Sequence, residues 1–414
     1  MTSRDEPLSL YLHIPFCTLK CSYCDFNSYA GLEELVRPYV DALIAEMGLW
    51  SGFAQTGARP GAAGRPVPTV FFGGGTPSLL PIEEVERIVE AIGERFALDA
   101  DAEVTLEANP GTVDLEYLRR LRATGVNRVS FGVQSFHDDE LAALDRIHSA
   151  AEAEEAYRRA REAGFQRINL DLIYGLPVLS GVEGPEQPIE RWQATLERAI
   201  DLAPDHMSLY ALTVEEGTKL AYDIDHGRAP EPDGDAQAAM YEWSQERMQR
   251  AGYRQYEISN WSREGQECRH NLVYWRNGDW LGLGAGAHSH LAGTRFADVY
   301  SPRGYVRSVE SAGDSPATDD IASLLRAMPQ VTYVEEPSPE LARADTLIMG
   351  LRLNEGVSLA EFRRRFGAGA DGPYAGTFAE MTSAGLLERS NGRIRLTPRG
   401  RLLANEVFVR LLPD

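Results

Sequence analysis

The feature that most limits the fold of this chain is a regular alternation of short apolar runs and amphipathic stretches between Leu8 and Ala211. Six runs are strand-like, and a helix-like stretch follows each of the first five; the runs are LSLYLHI, TVFFGG, EVTLEAN, RVSFGVQ, RINLDLIYGL and HMSLYAL. Strands that alternate with helices pair in parallel through right-handed crossovers. Six such units do not complete an eight-stranded barrel, so the sequence predicts an α/β protein built on a partial (β/α)6 TIM-like barrel.

The unusual motifs of the chain follow these predicted strands. In parallel α/β barrels the functional residues gather at the carboxyl ends of the strands. Three cysteines follow the first strand, and a GGGTP segment follows the second. The later strands carry Glu107 and Asn109 (third), Gln134 (fourth), Asp171 (fifth) and Ala211 (sixth). The sequence therefore predicts a single site at this end of the barrel.

Cys17, Cys21 and Cys24 lie in one short loop, separated by three and then two residues. This spacing lets three thiolates converge on one metal centre, whereas a structural zinc site normally has four protein ligands. The fourth cysteine, Cys268, is far away in the sequence. On a [4Fe–4S] cluster, three thiolates leave one iron free to bind a small molecule. A disulfide or a scattered-thiol core is the alternative, but few and closely spaced cysteines in a long chain favour a metal.

The CxxxCxxC motif directly after an apolar strand resembles the cluster loop of the radical S-adenosylmethionine (SAM) superfamily. The flanking segments YLHIPFC and YCDF are similar to the coproporphyrinogen oxidase branch of that superfamily. The resemblance covers nearly the whole chain and implies a radical SAM barrel in which the free iron binds the amino and carboxylate groups of SAM. It also implies that an electron from the cluster splits the sulfonium to a 5′-deoxyadenosyl radical.

The same resemblance assigns the glycine loop and two carboxylates to SAM. It implies that Gly74, Gly75 and Thr76 hold the SAM amino group, since bare backbone can approach a ligand closely. Glu107 is expected to meet the amino or ribose groups, because a carboxylate at the end of a buried strand is costly without a partner. The same reasoning applies to Asp171, which apolar residues surround in the sequence.

The remaining candidate SAM contacts are Tyr11, Tyr23, Gln134, Arg146, Ala211 and His288. Gln134 and Arg146 match SAM-contact positions of the branch, although Arg146 falls on a predicted helix and could be an ordinary surface cation. Tyr11 is expected to pack against the cofactor and Tyr23 to stack on the adenine, with a core position as the alternative for both. Ala211 and His288 are candidates by resemblance alone.

The hexapeptide HNLVYW, which begins at His270, resembles the HNxxYW motif of a haem-chaperone subgroup. An imidazole beside Tyr274 and Trp275 suits an axial ligand of haem iron on a flat apolar surface. A structural histidine with satisfied hydrogen bonds is an equal alternative. Cys268, two residues upstream, is a rival iron ligand or a buried thiol.

One departure from the branch decides between two functions. Oxygen-independent coproporphyrinogen III oxidases carry another cysteine two residues past the third cluster ligand, where this chain has Phe26. The resemblance therefore implies a haem chaperone that binds [4Fe–4S], SAM and haem and delivers haem to acceptor haemoproteins, some of them at a membrane. In that role the cluster is a structural or redox switch, and no catalytic residue is assigned. The alternative is a radical SAM oxidase that converts propionates to vinyl groups in haem biosynthesis.

Net charge favours neither of two classes of partner unless a local basic patch intervenes. A formal charge of −21 repels nucleic acid phosphates and anionic lipid. Four cysteines and no apolar run near 18 residues predict a cytoplasmic protein that is not integral to a membrane. The resemblance to haem chaperones adds a peripheral place at the inner membrane as an option.

Changes of pattern along the chain predict three parts. Residues 1–235 form the radical SAM core. Residues 236–335 are expected to cover the open side of the barrel, and they carry HNxxYW and a linker. Residues 336–414 form a mostly helical, winged-helix-like domain of the kind found in the coproporphyrinogen oxidase branch, for which nucleic acid binding is not favoured in so acidic a chain.

Overall fold

The computed structural model describes residues 6–53, 64–177, 187–313 and 321–413. The first eight strands are β1 (Ser9–Ile14), β2 (Phe16–Cys17), β3 (Tyr29–Ala30), β4 (Pro66–Gly74), β5 (Ala97–Ala108), β6 (Arg128–Gln134), β7 (Arg167–Tyr174) and β8 (His206–Ala211). Strands β1, β4, β5, β6, β7 and β8 pair in parallel in that order. Strands β2 and β3 form a separate parallel pair at the cysteine loop. The predicted partial (β/α)6 barrel is confirmed.

Helices lie between successive barrel strands, and one more, α7, follows the last of these strands. They are α1 (Val36–Phe53), α2 (Ile82–Arg95), α3 (Leu115–Ala123), α4 (Asp138–Ala143), α5 (Ala150–Glu162), α6 (Ile189–Asp201) and α7 (Lys219–Asp225). In α2, Val85, Ile88 and Ile92 recur every three or four residues and are buried, so one face of the helix packs into the core. Helix α5 begins with a capping box between Ser149 and Glu152. Local sequence thus specifies both helix faces and helix ends.

The segment after the barrel lengthens the sheet at both edges. Its elements are α8 (Gly234–Arg250), β9 (Arg254–Glu257), β10 (Asn260–Ser262), α9 (Arg269–Trp275), β11 (Trp280–Leu283), β12 (His288–Leu291), β13 (Thr294–Asp298), α10 (Pro302–Glu310), α11 (Ile321–Ala327) and β14 (Val331–Glu335). Strand β11 pairs in parallel with β1, and β12 to β14 follow antiparallel. At the other edge β10 pairs with β8, and β9 with β10.

This arrangement differs from the expectation that the segment simply covers the open side. The edge strands β1 and β8 carry backbone donors and acceptors that need partners, and the short strands of the segment supply them. Over the described residues the result is a single sheet of twelve strands.

The C-terminal part has a core of its own. It contains α12 (Pro339–Arg352), β15 (Val357–Ser358), α13 (Leu359–Phe366), α14 (Ala375–Ser383), β16 (Leu387–Ser390), β17 (Arg393–Leu396), α15 (Pro398–Leu402) and α16 (Ala404–Phe408). Strands β16 and β17 form a hairpin whose turn residues, Asn391 and Gly392, both have positive φ, as a tight two-residue turn requires. Its buried apolar cluster runs from Leu347 to Leu411. Helices with a two-stranded wing match the predicted winged-helix-like form, while the boundaries at 235 and 335 stay predictions.

None of the helices that the structure describes is both long and apolar enough to cross a bilayer.

A buried pair of carboxyl groups connects α1 to the added strands. Glu46 on α1 accepts hydrogen bonds from the Tyr305 hydroxyl (2.6 Å) and the Gly284 amide (3.0 Å), and it also meets Asp298 of β13. Burial raises the pKa of both carboxyl groups, and their mutual repulsion raises that of Asp298 further. The raised pKa values favour a protonated carboxyl group within the pair.

We expect this pair to make stability fall as the pH rises. Carboxyl groups with raised pKa values stabilise the fold fully below their unfolded values near 4, and this contribution is lost on the alkaline side. In Asp298→Asn a neutral amide replaces the titrating carboxyl group, so the decline in unfolding free energy between pH 5 and pH 8 should shrink by roughly 1–3 kcal/mol. Urea unfolding at both pH values measures it. Asp225→Asn, at an exposed position on α7, is the control and should keep the wild-type decline.

Candidate cofactor site at the mouth of the barrel

A cavity of about 450 Å³ lies at the carboxyl ends of the barrel strands. It is lined by residues from every motif that the sequence placed at this end; among them are Cys17, Cys21, Tyr23, Cys24, Gly74, Gly75, Thr76, Glu107, Asn109, Gln134, Arg146, Asp171 and Ala211. The parallel pairing of the strands explains this convergence, because each strand delivers its last residues to the same edge. Their individual roles toward SAM stay predictions.

The three cysteines of the loop lie on one wall of the cavity. All are half-buried and none forms a disulfide. The Cys17 Sγ lies 3.5 Å from the Thr76 hydroxyl, and the Cys21 Sγ accepts a hydrogen bond from Arg146 at 3.4 Å. A turn closes the loop, since the Cys24 amide donates to the Cys21 carbonyl at 3.2 Å.

The donor set fits an iron–sulfur cluster better than a single ion. In the part of the chain that the structure describes, no three His, Cys, Asp or Glu side chains converge on one metal-ion position. A four-iron cube takes one thiolate per iron, so its ligands stand apart around a cluster several ångströms wide. Three free thiols line this cavity, and thiolates are the preferred ligands of iron–sulfur clusters.

The glycine loop is joined to the cysteine loop by two backbone hydrogen bonds. The Gly75 amide donates to the Ile14 carbonyl at 2.8 Å, and the Thr76 amide donates to the Phe16 carbonyl at 2.7 Å. A Cβ on Gly75 would lie 2.7 Å from the Phe16 oxygen, too close for any side chain. Gly74 has φ +111°, a conformation that side chains disfavour. Glycine is required here by contact as well as by conformation.

His13 supports the cysteine loop from beneath the site, and the sequence reasoning missed it. It is buried at the end of β1, where its Nε2 contacts the Asn27 carbonyl at 2.8 Å and its Nδ1 contacts the Tyr11 hydroxyl at 3.0 Å. Burial lowers its pKa, so the ring is neutral at physiological pH. The ring connects the first strand to the end of the cysteine loop. The signal in the sequence was a polar residue inside an otherwise apolar strand.

Two carboxylates face the cavity from β5 and β7, the strands on either side of β6. Glu107 accepts a hydrogen bond from the Gly74 amide at 3.3 Å, while Asp171 accepts from Ser130 (2.9 Å) and Asn169 (2.8 Å). Glu107 keeps a small face toward the cavity, yet desolvation and then repulsion from Asp171 raise its pKa to about 8. Desolvation also raises the pKa of Asp171. A cationic ligand in the cavity would relieve both groups.

Arg146 lies in a loop after α4, and the helical position expected from the sequence was wrong. Asp145 has φ +54°, which ends the helix before the arginine. The guanidinium turns inward and donates to the Gly132 carbonyl at 2.6 Å as well as to Cys21. It is therefore not an ordinary surface cation. Gln134, at the end of β6, is buried and also has positive φ.

Three predicted residues lie away from this cavity. Tyr11 and His270 line a second cavity of about 230 Å³ inside the barrel, which shares Glu107 and Asp171 with the first. His288 lies at the surface beside the Tyr300 hydroxyl, with 3.2 Å between that oxygen and Nε2.

The ring of His270 is enclosed by partners. Its Nδ1 lies 2.8 Å from the Thr69 hydroxyl, its Nε2 lies 2.9 Å from the Tyr274 hydroxyl, and the ring stacks on Phe71. Desolvation lowers its pKa to about 3. Iron ligation by His270 remains a prediction, and it would require the ring to give up a hydrogen bond inside the barrel. Cys268 is buried 3.6 Å from Glu103.

Fold and site together define a radical SAM protein. The radical SAM superfamily model matches residues 11–183, and the HemN C-terminal domain model matches residues 338–403. The solved coproporphyrinogen III oxidase (HemN) from Escherichia coli superposes with a TM-score of 0.80 over 99% of this chain and 91% of that one, at 24% identity, which establishes the fold alone.

Sequence similarity narrows the class to one family. The heme chaperone HemW of Bacillus subtilis is 35% identical over 98% of this chain and 99% of its own length. The heme chaperone HemW of Escherichia coli is 40% identical over 79% of this chain and 85% of its own length. The chain belongs to the HemW family.

We expect the cluster to depend on the three loop cysteines and not on the fourth. Anaerobically reconstituted protein should hold about four irons per chain, and Cys17→Ala, Cys21→Ala and Cys24→Ala combined should hold almost none. Cys268→Ala is the matched control, because that thiol lies against Glu103 away from the loop. Iron and sulfide analysis, together with the visible absorption spectrum, measures the cluster content of the triple variant and of the control. Four irons in the triple variant would contradict the assignment.

We also expect SAM affinity to rise with pH through Glu107. With its pKa near 8, Glu107 is mostly protonated at pH 6.5, and the cationic ligand favours its ionised form. Affinity should therefore increase by roughly tenfold between pH 6.5 and pH 8.5. In Glu107→Gln the increase should disappear, while Glu90→Gln, on the exposed face of α2, should keep it. The dissociation constant of SAM at both pH values measures this effect. If Glu107→Gln keeps the wild-type pH dependence of SAM affinity, Glu107 does not have this role.

Proposed function

We propose that this chain is a haem chaperone that holds a [4Fe–4S] cluster and SAM, binds haem and passes it to acceptor haemoproteins. One observation carries the proposal: relatives called heme chaperone HemW, from several bacteria, are 31–40% identical to this chain. Most of these relatives match over nearly their full length, so the similarity is not confined to the superfamily core.

The residues of the barrel mouth suit both cofactors. Cys17, Cys21 and Cys24 would supply the thiolates of the cluster, and the bare backbone at Gly74 and Gly75 would receive the SAM amino group. Glu107 and Asp171 would balance the positive charge of SAM, Tyr23 and Ala211 would contact its nucleoside part, and Arg146 would hold Cys21 in place. When bound, the reduced cluster can supply an electron to the sulfonium of SAM.

The rim of the cavity suits a large apolar ligand more than a buried reaction. Leu19, Phe26, Ile147 and Tyr210 line the cavity and are all exposed. A cluster of exposed apolar side chains marks a binding surface in a protein whose other large apolar residues are mostly inside. A porphyrin is flat and apolar over both faces, so it can cover such a rim without entering the barrel.

The rim also favours a chaperone over an oxidase. Phe26 stands where the oxygen-independent oxidases have a further cysteine, and its ring is largely exposed at the cavity mouth. A phenyl group offers neither the acid–base nor the redox chemistry of a thiol. We infer that the cluster and SAM regulate or stabilise haem binding here and do not drive decarboxylation.

A transfer experiment tests the chaperone function. Haem-loaded protein is mixed either with apomyoglobin, which traps free haem, or with membranes from haem-starved cells, whose haemoproteins lack haem. Direct delivery requires transfer to the membranes to be faster than release to the trap and to increase with membrane concentration. Equal rates with no dependence on concentration would mean simple dissociation and would overturn the proposal. Membranes heated to unfold their haemoproteins are the control.

A second experiment tests the oxidase alternative. Reduced, reconstituted protein is incubated with coproporphyrinogen III and SAM, and the porphyrinogens and 5′-deoxyadenosine are quantified. We expect no protoporphyrinogen, either from the wild type or from Phe26→Cys, in which the thiol of the oxidases is restored. Protoporphyrinogen with stoichiometric 5′-deoxyadenosine from the wild type would show an enzyme instead.

A further inference from the structure

The imidazole of His288 is presented at the surface next to the cysteine loop. It opens strand β12 with its side chain exposed, whereas the next three residues of the strand are buried. Its one hydrogen-bond partner among the described residues is the Tyr300 hydroxyl, 3.2 Å from Nε2. Partial burial lowers its pKa below the ordinary value, so the ring is neutral at pH 7. A neutral, accessible imidazole is the commonest nitrogen ligand of metals in proteins.

Asn27 joins this surface to the cysteine loop. The side-chain amide of Asn27 donates to the carbonyls of Ala285 and Tyr300, both at 2.9 Å. The backbone carbonyl of Asn27 contacts His13 Nε2 at 2.8 Å. A side chain on Gly286 would overlap the Asn27 amide, so the two loops are in direct contact. The position of His288 is therefore fixed relative to the loop that carries the three cysteines.

Tyr300 lies at the imidazole, and the adjoining cysteine loop carries an exposed phenyl ring and a cation. Phe26 and Tyr300 are 60% and 54% exposed; Phe26 precedes Asn27 in the chain, and the Tyr300 carbonyl accepts a hydrogen bond from the Asn27 side chain. The Lys20 ammonium lies at the Phe26 carbonyl, 3.0 Å away. Aromatic rings can pack against a porphyrin face, and an ammonium can pair with its propionate groups. In a chain with a formal charge of −21, a local cation is needed to accept a dianionic ligand.

The cost of exposing a ligand nitrogen separates His288 from His270. Iron ligation at His288 Nε2 displaces one exposed hydroxyl, which water can then solvate, at a cost of roughly two- to tenfold in affinity. Ligation at His270 breaks a buried hydrogen bond, to Thr69 or to Tyr274. Leaving a buried polar group unpaired costs roughly five- to a hundredfold in affinity.

We propose that His288 is the axial ligand of the haem iron, with the porphyrin lying on Phe26 and Tyr300 and a propionate directed to Lys20. This proposal rests on the proposed haem-binding function. In the binding step, the Nε2 lone pair forms a bond to iron and the hydrogen bond to Tyr300 breaks. The Tyr300 hydroxyl keeps its proton, so no redox partner or base is required.

Haem titration of the full, cluster-reconstituted chain tests the assignment. The variants are His288→Ala, His270→Ala and His226→Ala, the last an exposed histidine that also lies against an exposed tyrosine, Tyr222. We expect His288→Ala to weaken ferric haem binding by at least roughly tenfold and to shift the Soret band, with added imidazole restoring the wild-type spectrum. The other two variants should keep the wild-type Soret position.

Two substitutions of Tyr300 separate the role of its hydroxyl from that of its ring. Tyr300→Phe removes the hydroxyl that competes for Nε2 but keeps the ring, so haem binding should be unchanged or tighter. Tyr300→Ala removes the apolar surface and should weaken binding. Loss of haem in Tyr300→Phe would identify a tyrosinate ligand and would overturn the proposal.

Failure of this assignment is distinguishable from failure of the haem-binding function. If the wild-type chain binds no haem, the proposed haem-binding function itself is wrong. A wild-type chain that binds haem, with an unchanged spectrum in His288→Ala and a changed one in His270→Ala, would overturn only the ligand assignment. Each result is read alongside the far-UV circular dichroism spectrum of the variant. If His270→Ala fails to fold, His288→Ala and the two Tyr300 variants still decide.

Discussion

The site depends on two backbone hydrogen bonds between neighbouring loops. The amides of Gly75 and Thr76 donate to the carbonyls of Ile14 and Phe16, so the glycine loop continues the pairing of β1 and β4 beyond the strands. The cysteine loop and the glycine loop thereby become one wall. Because a Cβ at Gly75 would meet the Phe16 oxygen at 2.7 Å, a larger residue would separate them. Thiols on one loop and bare amides on the other are then held at fixed positions around one cavity.

Charge at the barrel mouth is balanced by an ordered set of donors. Glu107 and Asp171 are carboxyl groups in a desolvated place, each with hydrogen-bond donors but without an adjoining cation in ion-pair contact among the described residues. Arg146 is instead engaged with the Gly132 carbonyl and the Cys21 thiol. The cavity thus has an anionic wall and a thiol wall, which is an arrangement suited to a cationic ligand that also reaches a metal centre. Keeping these carboxyl groups desolvated lowers the stability of the free protein, and ligand binding recovers that free energy.

The sequence predicted the barrel and the convergence of its motifs well, because β/α alternation alone determines which residues reach the strand ends. Other features depend on tertiary contacts. The turn that frees Arg146 from α4 has Asp145 at positive φ, where the sequence shows neither Gly nor Pro. The enclosure of His270 depends on Thr69, which is distant in the sequence. Strands β11 to β14 have only four or five residues each, and their pairing follows from the open edge of β1 more than from their own pattern.

The lengthened sheet also limits the aggregation risk of a protein that has an exposed apolar rim. The terminal strands of the twelve-stranded sheet, β9 and β14, have only four and five residues, and Glu257 at the end of β9 already bridges to Leu353. Short, partly covered edges offer little template for strand addition by another molecule. Exposed aromatic and aliphatic side chains around the barrel mouth can then bind an apolar ligand. The exposed β edge, which is the main aggregation hazard of an open barrel, is kept small.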